Sequence, residues 1–470
     1  VSGAGRRGAL AIVLHTHMPY VEGFGTWPFG EEWLWEAIAT SYLPLLELLE
    51  EGARLTLSMT PVLCDQLEAP GLAARLSDFL GGVRAETHAR DAAGLRRAGE
   101  PLLAAELERA AGDYERALLR LGQLGGDVLG ALAPYVQWTS SATHAILPLL
   151  ATDACVLEQL ESGIASHRRR FGPGWDGGLW LPECAHAPWI EPLLREAGVL
   201  AGCVELTSRY GLGAAEHLQP IATGAGLTLF PVDRRTMSLV WSEAGYPAAG
   251  AYRDYHHHTV HHHQPWNNAG APYERDAALA LAAEHARDFV ARTIERLAPD
   301  GGLVVCALDT ELLGHWWYEG IEWLRAVLIE SERQGLELIR LDEARASFTA
   351  VPEGRECPWP ATSWGQDGDL STWSGPAVAE LAFAVRAAEL ELVAAGRAAG
   401  PAAVRELLAL QSSDWPFMVS REIALPYALE RFEGHRAALR RALDGGPGTG
   451  TGGLRNLAVD ATGARLLAPL

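Results

Sequence analysis

Two apolar runs, far apart in the chain, end in the same way. Gly177-Gly178-Leu179-Trp180-Leu181 leads through Pro182 into Glu183, with Cys184, Ala185 and His186 behind it. Gly302-Leu303-Val304-Val305-Cys306-Ala307-Leu308 leads into Asp309-Thr310-Glu311, and Gly314-His315-Trp316-Trp317-Tyr318-Glu319-Gly320 follows. Short, unbroken apolar runs of this kind suit strands covered on both faces, as in a parallel sheet. Pro182 has no amide hydrogen for a ladder, so the first strand should stop near it. Each strand then presents a carboxylate at its C-terminal end, beside aromatics and histidine. Such a carboxylate pair is the layout of a site that works on a sugar.

The rest of the chain repeats the theme. Ala9-Leu10-Ala11-Ile12-Val13-Leu14 reads as a buried strand ending at His15-Thr16-His17. Strand side chains alternate, so His15 and His17 share a face, which marks both as site candidates. A loop carrying Trp27, Trp33 and Trp35 and a helix through Leu49 precede a strand at 55–61. Further strands are expected at 136–140, 200–204, 227–231 and 336–341, with His144 just past the first of them. Helices at 152–168 and 273–297 alternate with these strands. The alternation predicts an α/β fold, a parallel barrel. Residues 65–135 lack strands, and Ala104 to Leu121 has amphipathic helical spacing, so this stretch reads as a helical insertion. A Gly/Pro/Trp-rich link from 351 to 376 carries Trp359, Trp364 and Trp373. Helices follow, interrupted by Gln411-Ser412-Ser413-Asp414-Trp415-Pro416-Phe417. The expected division is therefore 1–64 with 136–350 as barrel, 65–135 as insertion and 351–470 as a C-terminal helical domain.

Composition narrows the partners. The formal net charge of −21 opposes a nucleic-acid or anionic membrane partner, which needs a basic surface, and leaves a neutral polysaccharide compatible. Every basic residue is arginine, which excludes a Schiff-base lysine and a phosphate-binding P-loop. The six cysteines form no CxxC pair, consistent with a reduced, cytoplasmic setting. No apolar run is long enough to span a membrane. The run before His15 is too short for a secretory signal.

Competing readings stand beside these. Glu183 and Asp309 could be buried ion-pair partners of arginines, and Glu311 is the main rival to Asp309. Asp414 suits a helix cap or an ion pair better than a catalyst. Tryptophan, with sixteen copies, serves sugar stacking or the core. Arg253 opens a polar segment in which His256, His257, His258, His261, His262 and His263 crowd together before Trp266, Asn267 and Asn268. A metal site needs ligands converging in space with an open position, so a polar wall for a sugar cleft is the preferred reading and no metal is expected.

Five stretches occur in an order that resembles glycoside hydrolase family 57, and within it the α-1,4-glucan branching enzymes. They are HTHMPY at 15–20, SSATHAILPLL at 140–150, GLWLPECAH at 178–186, LDTELLGHWWYEG at 308–320 and SSDWPF at 412–417. The resemblance implies a (β/α)7 barrel, distorted and TIM-like, with an inserted and a C-terminal helical domain. It implies that Glu183 is the nucleophile and Asp309 the general acid/base. It implies sugar contacts from His15, His17, His144, Trp266, Trp364, Trp373 and Trp415. Trp27, Trp180, Arg253, His315 and Asp414 complete the expected substrate-binding set. It implies an α-glucan, glycogen-like or methylated, as partner, no cofactor, and a monomer or homodimer. The expected activity is α-1,4 cleavage with α-1,6 transfer; hydrolysis or disproportionation of the same glucan, and glucan binding without turnover, are the alternatives. Asp309 should be the carboxyl held protonated, because its aromatic neighbours disfavour charge. Two departures bear on transfer. The segment after the Glu183 strand is short and replaced by the His/Trp/Asn stretch. Met418-Val419-Ser420-Arg421-Glu422 stands where a Thr-Gly pair is usual.

Overall fold

The computed structural model describes residues 8–26, 30–353, 359–445 and 454–467. Trp27 lies outside them.

Strands form where apolar runs were read, and two short ones that were not expected form at 221–222 and 351–352. They are β1 (Gly8–Thr16), β2 (Thr56–Met59), β3 (Val136–Trp138), β4 (Gly178–Leu179), β5 (Ala201–Val204), β6 (Ile221–Ala222), β7 (Thr228–Pro231), β8 (Gly302–Asp309), β9 (Glu337–Leu338) and β10 (Val351–Pro352). One sheet runs β3-β2-β1-β8 and the other β10-β6-β7-β5-β4. Two junctions join the sheets. Thr139 bridges Leu179 in parallel, and the Asp233 amide donates to the Val305 carbonyl at 2.9 Å. A ring of parallel strands β1-β2-β3-β4-β5-β7-β8 therefore closes on itself among the described residues, held at two points by isolated bonds rather than full ladders. This is the distorted seven-stranded barrel that was expected. Residues 9–14 and 303–308 are almost wholly buried, as strands covered on both sides should be.

Two strands differ from the sequence expectation. The run at 336–341 pairs over only two residues. β2 holds Val13–Thr16 of β1, so β9 fills the remaining lower edge at Ala9 and Leu10. The Glu183 run pairs only at Gly178 and Leu179, and the chain then leaves the ladder.

Residues between β2 and β3 are helical, the longest pieces being Ala85–Arg97 and Pro101–Gln123, which pack on each other around Ala92, Ala104 and Leu107. The C-terminal helices Ala379–Ala395, Gly400–Leu410, Asp414–Ser420 and Leu425–Leu443 share a core that includes Leu392, Leu407, Trp415 and Phe432. Gly314 shows how tightly the loop after β8 is set. Its φ is +95°, and a Cβ there would lie 1.9 Å from the Thr40 carbonyl oxygen. Only glycine meets both demands.

Candidate active site

Parallel register builds the first row of the site. Ser58 of β2 and Asp309 of β8 are both register partners of His15 on β1. Register partners on adjacent strands point to the same face, so these side chains stand together at the barrel's C-terminal end. His17 follows two residues on, above the same face.

His144 and Glu183 arrive differently. Both lie just past short strands, in left-handed backbone at φ 60°, and Cys184 follows at φ 50°. Such conformations are unfavourable for residues with a Cβ and persist where the surroundings hold them. Here they turn both side chains into the barrel mouth. Glu183 Oε2 accepts from Trp364 Nε1 at 2.6 Å, and Oε1 accepts from Ser413 Oγ at 3.2 Å. The Glu183 carbonyl also accepts from the Trp364 amide at 3.0 Å. Donors to a carboxylate favour its ionised form.

The histidines form a stacked group. Nε2 of His15 and Nε2 of His144 are 2.9 Å apart, and the His17 ring stacks on His144 at 4.0 Å. Trp180 stacks on His15 at 4.7 Å and meets Trp364 edge-on. His17 Nε2 lies 2.9 Å from Asp414 Oδ1 and its Nδ1 lies 3.2 Å from Thr60 Oγ1. Glu311 accepts from the Tyr42 hydroxyl and from the His17 amide. Both bonds fall on Oε1 of Glu311, which braces the wall between β1 and Tyr42.

The electrostatics separate these groups. Burial, then the charges of Glu183 and Glu311, raise the Asp309 carboxyl well above its usual range. Burial also raises Glu183, but Trp364 and the charge of His17 oppose the rise. Burial pushes Glu311 up to about 7. Burial and the neighbouring His17 hold His15 and His144 neutral. Burial works against the charge on His17 as well, yet Asp414 overcomes it and its pKa rises. In the mouth, then, burial favours the proton on Asp309, two donors favour the anion of Glu183, and Asp414 favours the proton on His17. A cleft with an acid and a nucleophile of this kind can perform glycosyl transfer. Among the described residues, His17, His144 and Asp414 are the set whose ligand atoms come close enough for a metal ion. Each of those atoms already serves a hydrogen bond within the cluster.

The structure sorts the remaining expected site residues. Trp364 borders the carboxylate and Asp414 belongs to the cluster, whereas Trp180 is fully buried against His15 and Trp364 and presents no free face to a sugar. His315 lines a cavity of about 430 Å³ with Trp33, Glu36, Arg84, Tyr255 and Trp316, and burial lowers it to about 4. Burial speaks against sugar contact at Trp415, Trp373 and Arg253. Trp415 is fully buried in the C-terminal core and its Nε1 donates to the Ala409 carbonyl, so it presents no free face. Trp373 is buried against Ile146 and Ala185. Arg253 is buried between the rings of Tyr273 and Tyr318 and pairs with Glu106 of the insertion, which makes it a tie between segments. Trp266 stacks on His257 at 3.9 Å, outside the cluster around Glu183. Ser413 and Tyr42 were missed. Ser413 stands inside the SSDWPF stretch, which pointed to the right segment; Tyr42 lies on an ordinary-looking helix and left no signal.

Among the described residues, no helix is long and apolar enough to cross a membrane. Residues 138–353 match the model for glycosyl hydrolase family 57, and residues 380–446 match the model for the C-terminal region of 1,4-alpha-glucan branching enzymes. The chain is 34% identical to a probable 1,4-alpha-glucan branching enzyme of Mycobacterium tuberculosis, over 92% of this chain and 91% of that one. It is 31% identical to a 1,4-alpha-glucan branching enzyme of Thermococcus kodakarensis, over 90% of this chain and 72% of that one. The crystal structure of a GH57-type branching enzyme from Pyrococcus horikoshii superposes with a TM-score of 0.85 at 31% identity, covering 93% of this chain and 89% of the other. On this similarity, the chain belongs to glycosyl hydrolase family 57.

Proposed function

We propose that this chain is a 1,4-α-glucan branching enzyme acting by a retaining double displacement, with Glu183 as nucleophile and Asp309 as general acid/base. The contrast between the two part-buried carboxyls carries this reading. Glu183 accepts two hydrogen bonds that support its charge, whereas burial and neighbouring carboxylates keep a proton on Asp309. The named branching enzymes among its relatives support the choice of reaction.

In the first step Glu183 attacks the anomeric carbon of an α-1,4-linked glucan. The bond to the leaving oxygen breaks, and that oxygen takes the proton from Asp309. In the second step Asp309, now ionised, takes the proton of a 6-hydroxyl on a second glucan segment. The freed oxygen displaces Glu183 from the same carbon. Transfer rather than hydrolysis requires water to be kept from the glycosyl-enzyme. His17 and Trp364, both part-exposed beside the carboxylate, are the groups placed to hold the sugar. The reaction calls for no cofactor, and the free, buried Cys64, Cys155, Cys184, Cys203 and Cys306 suit a cytoplasmic protein. A glycogen-like glucan is the proposed substrate, handled by a monomer or homodimer.

Incubation with amylose, followed by enzymatic debranching and chain-length analysis, tests the reading. New α-1,6 branches without new reducing ends are expected. Reducing ends without branches would make the enzyme a hydrolase.

A further inference from the structure

Ser413, which supports Glu183 on one side, is itself the end of a longer chain of hydrogen bonds. Ser58 Oγ lies 3.4 Å from His15 Nδ1, His15 Nε2 lies 2.9 Å from His144 Nε2, His144 Nδ1 lies 2.8 Å from Ser413 Oγ, and Ser413 Oγ lies 3.2 Å from Glu183 Oε1. All of these groups except Glu183 are buried to within a few per cent of their surface.

The directions follow from what each atom can do. An ionised carboxylate only accepts, so Ser413 gives its one proton to Glu183. Its oxygen must then accept from His144, which places the His144 proton on Nδ1. A neutral His144 has a lone pair on Nε2, and His15 fills it with its own Nε2–H. His15 Nδ1 is left as an acceptor for the Ser58 hydroxyl. Every donor meets one acceptor, and the chain points one way, toward the carboxylate. The charged His17 ring stacked on His144 keeps a second charge off that ring.

We propose that Ser413 is a positioning residue for this reaction, carrying the fixed polarity of the Ser58–His15–His144 chain onto Oε1 of Glu183 and holding that oxygen aligned for attack. The inference rests on the reading of Glu183 as the nucleophile. It assigns the C-terminal region a part in catalysis that sequence spacing does not show, since Ser413 and Glu183 are 230 residues apart.

Two measurements on the full-length enzyme test it. The first compares Ser413→Ala and Ser413→Thr with the parent on amylose across pH. Ser413→Ala should lower kcat by about tenfold or more with little change in KM, and the acidic limb should move to higher pH, because Glu183 loses a donor that favours its anion. Ser413→Thr keeps the hydroxyl and should recover most of the loss. The other ionisable groups facing Glu183 (His17, His144, Asp309 and Asp414) are unaltered in both variants. A Ser413→Ala enzyme with kcat within twofold and an unmoved acidic limb overturns the proposal. The second measurement reads histidine tautomers in the parent protein by 15N NMR, with resonances assigned from His15→Gln and His144→Gln. Protons on Nδ1 of His144 and Nε2 of His15 are expected; the opposite tautomer at His144 overturns the chain. A parent enzyme inert toward glucans would sink the functional reading, and the tautomers would still decide the relay.

Discussion

The molecule contains two histidine clusters, and they are built in opposite ways. In the barrel mouth, His15 and His17 from the end of β1 and His144 from beyond β3 meet stacked, with Ser58, Thr60, Ser413 and Asp414 on their nitrogens. In the other, six histidines lie almost in sequence at 256–263, yet they spread apart. His261 reaches Asp91 at 2.6 Å and His263 reaches Thr87 at 3.1 Å, both on the insertion helix Ala85–Arg97. His257 stacks on Trp266 and His258 on His262. His256, His257 and His258 are exposed. Density along the sequence thus makes a strap between loop and insertion. Convergence from distant segments makes the site, because only strand ends and tight turns bring several polar groups onto one atom.

Substitutions should separate the two clusters sharply. The largest effect belongs to the carboxyls the mouth cluster serves. Glu183→Gln should remove at least about 10⁴-fold of kcat, and Asp309→Asn about 10²- to 10⁴-fold, with glucan binding retained in both. Affinity measured by co-sedimentation or gel retardation, alongside initial rates, checks this. Activity of Glu183→Gln near that of the parent would leave the mouth cluster without its proposed purpose.

Next comes the His17–Asp414 pair. The pKa of His17 is raised in the folded protein, so its proton stabilises the native state fully at pH below the unfolded value. That contribution is lost as pH rises through the folded value. Denaturant titrations should show stability falling across this range in the parent. His17→Gln should lower stability on the acid side by about 1.5–3 kcal/mol, the worth of a charged hydrogen bond, and flatten the decline. Equal slopes in both proteins would contradict the pairing.

The smallest effect is expected in the other cluster. Replacing His256, His257 and His258 together by alanine should change stability by less than about 0.5 kcal/mol, as for exposed positions free of caps or buried contacts. Branching rate should stay within about twofold. A large loss of rate would mean that the exposed loop handles the sugar after all.

How far these features were legible depends on their range. β1 and β8 were clear because long, unbroken apolar runs must be buried on both faces, and His15 and Asp309 followed from where the runs end. β4 was legible only in part. The run suggested a strand up to Pro182, but the chain turns at Trp180 to make the left-handed step that aims Glu183. Tryptophan was the weakest guide. Nothing local distinguishes Trp364, whose indole holds Glu183, from Trp373 and Trp415, which fill cores. Arg253 misled for a related reason: its partner Glu106 lies in the insertion, and sequence distance hides the pair. Tyr42 and Ser413 act on carboxylates hundreds of residues away, so only the folded barrel reveals them.

Covalent trapping tests the central claim most directly. The enzyme would be incubated with a 5-fluoro-glycosyl fluoride that forms but slowly releases the glycosyl-enzyme, then digested and sequenced by mass spectrometry. The account expects one sugar, on the peptide carrying Glu183, and none in Glu183→Gln. A label on Asp309 or Glu311, or turnover in a parent enzyme that traps nothing on Glu183, would contradict it.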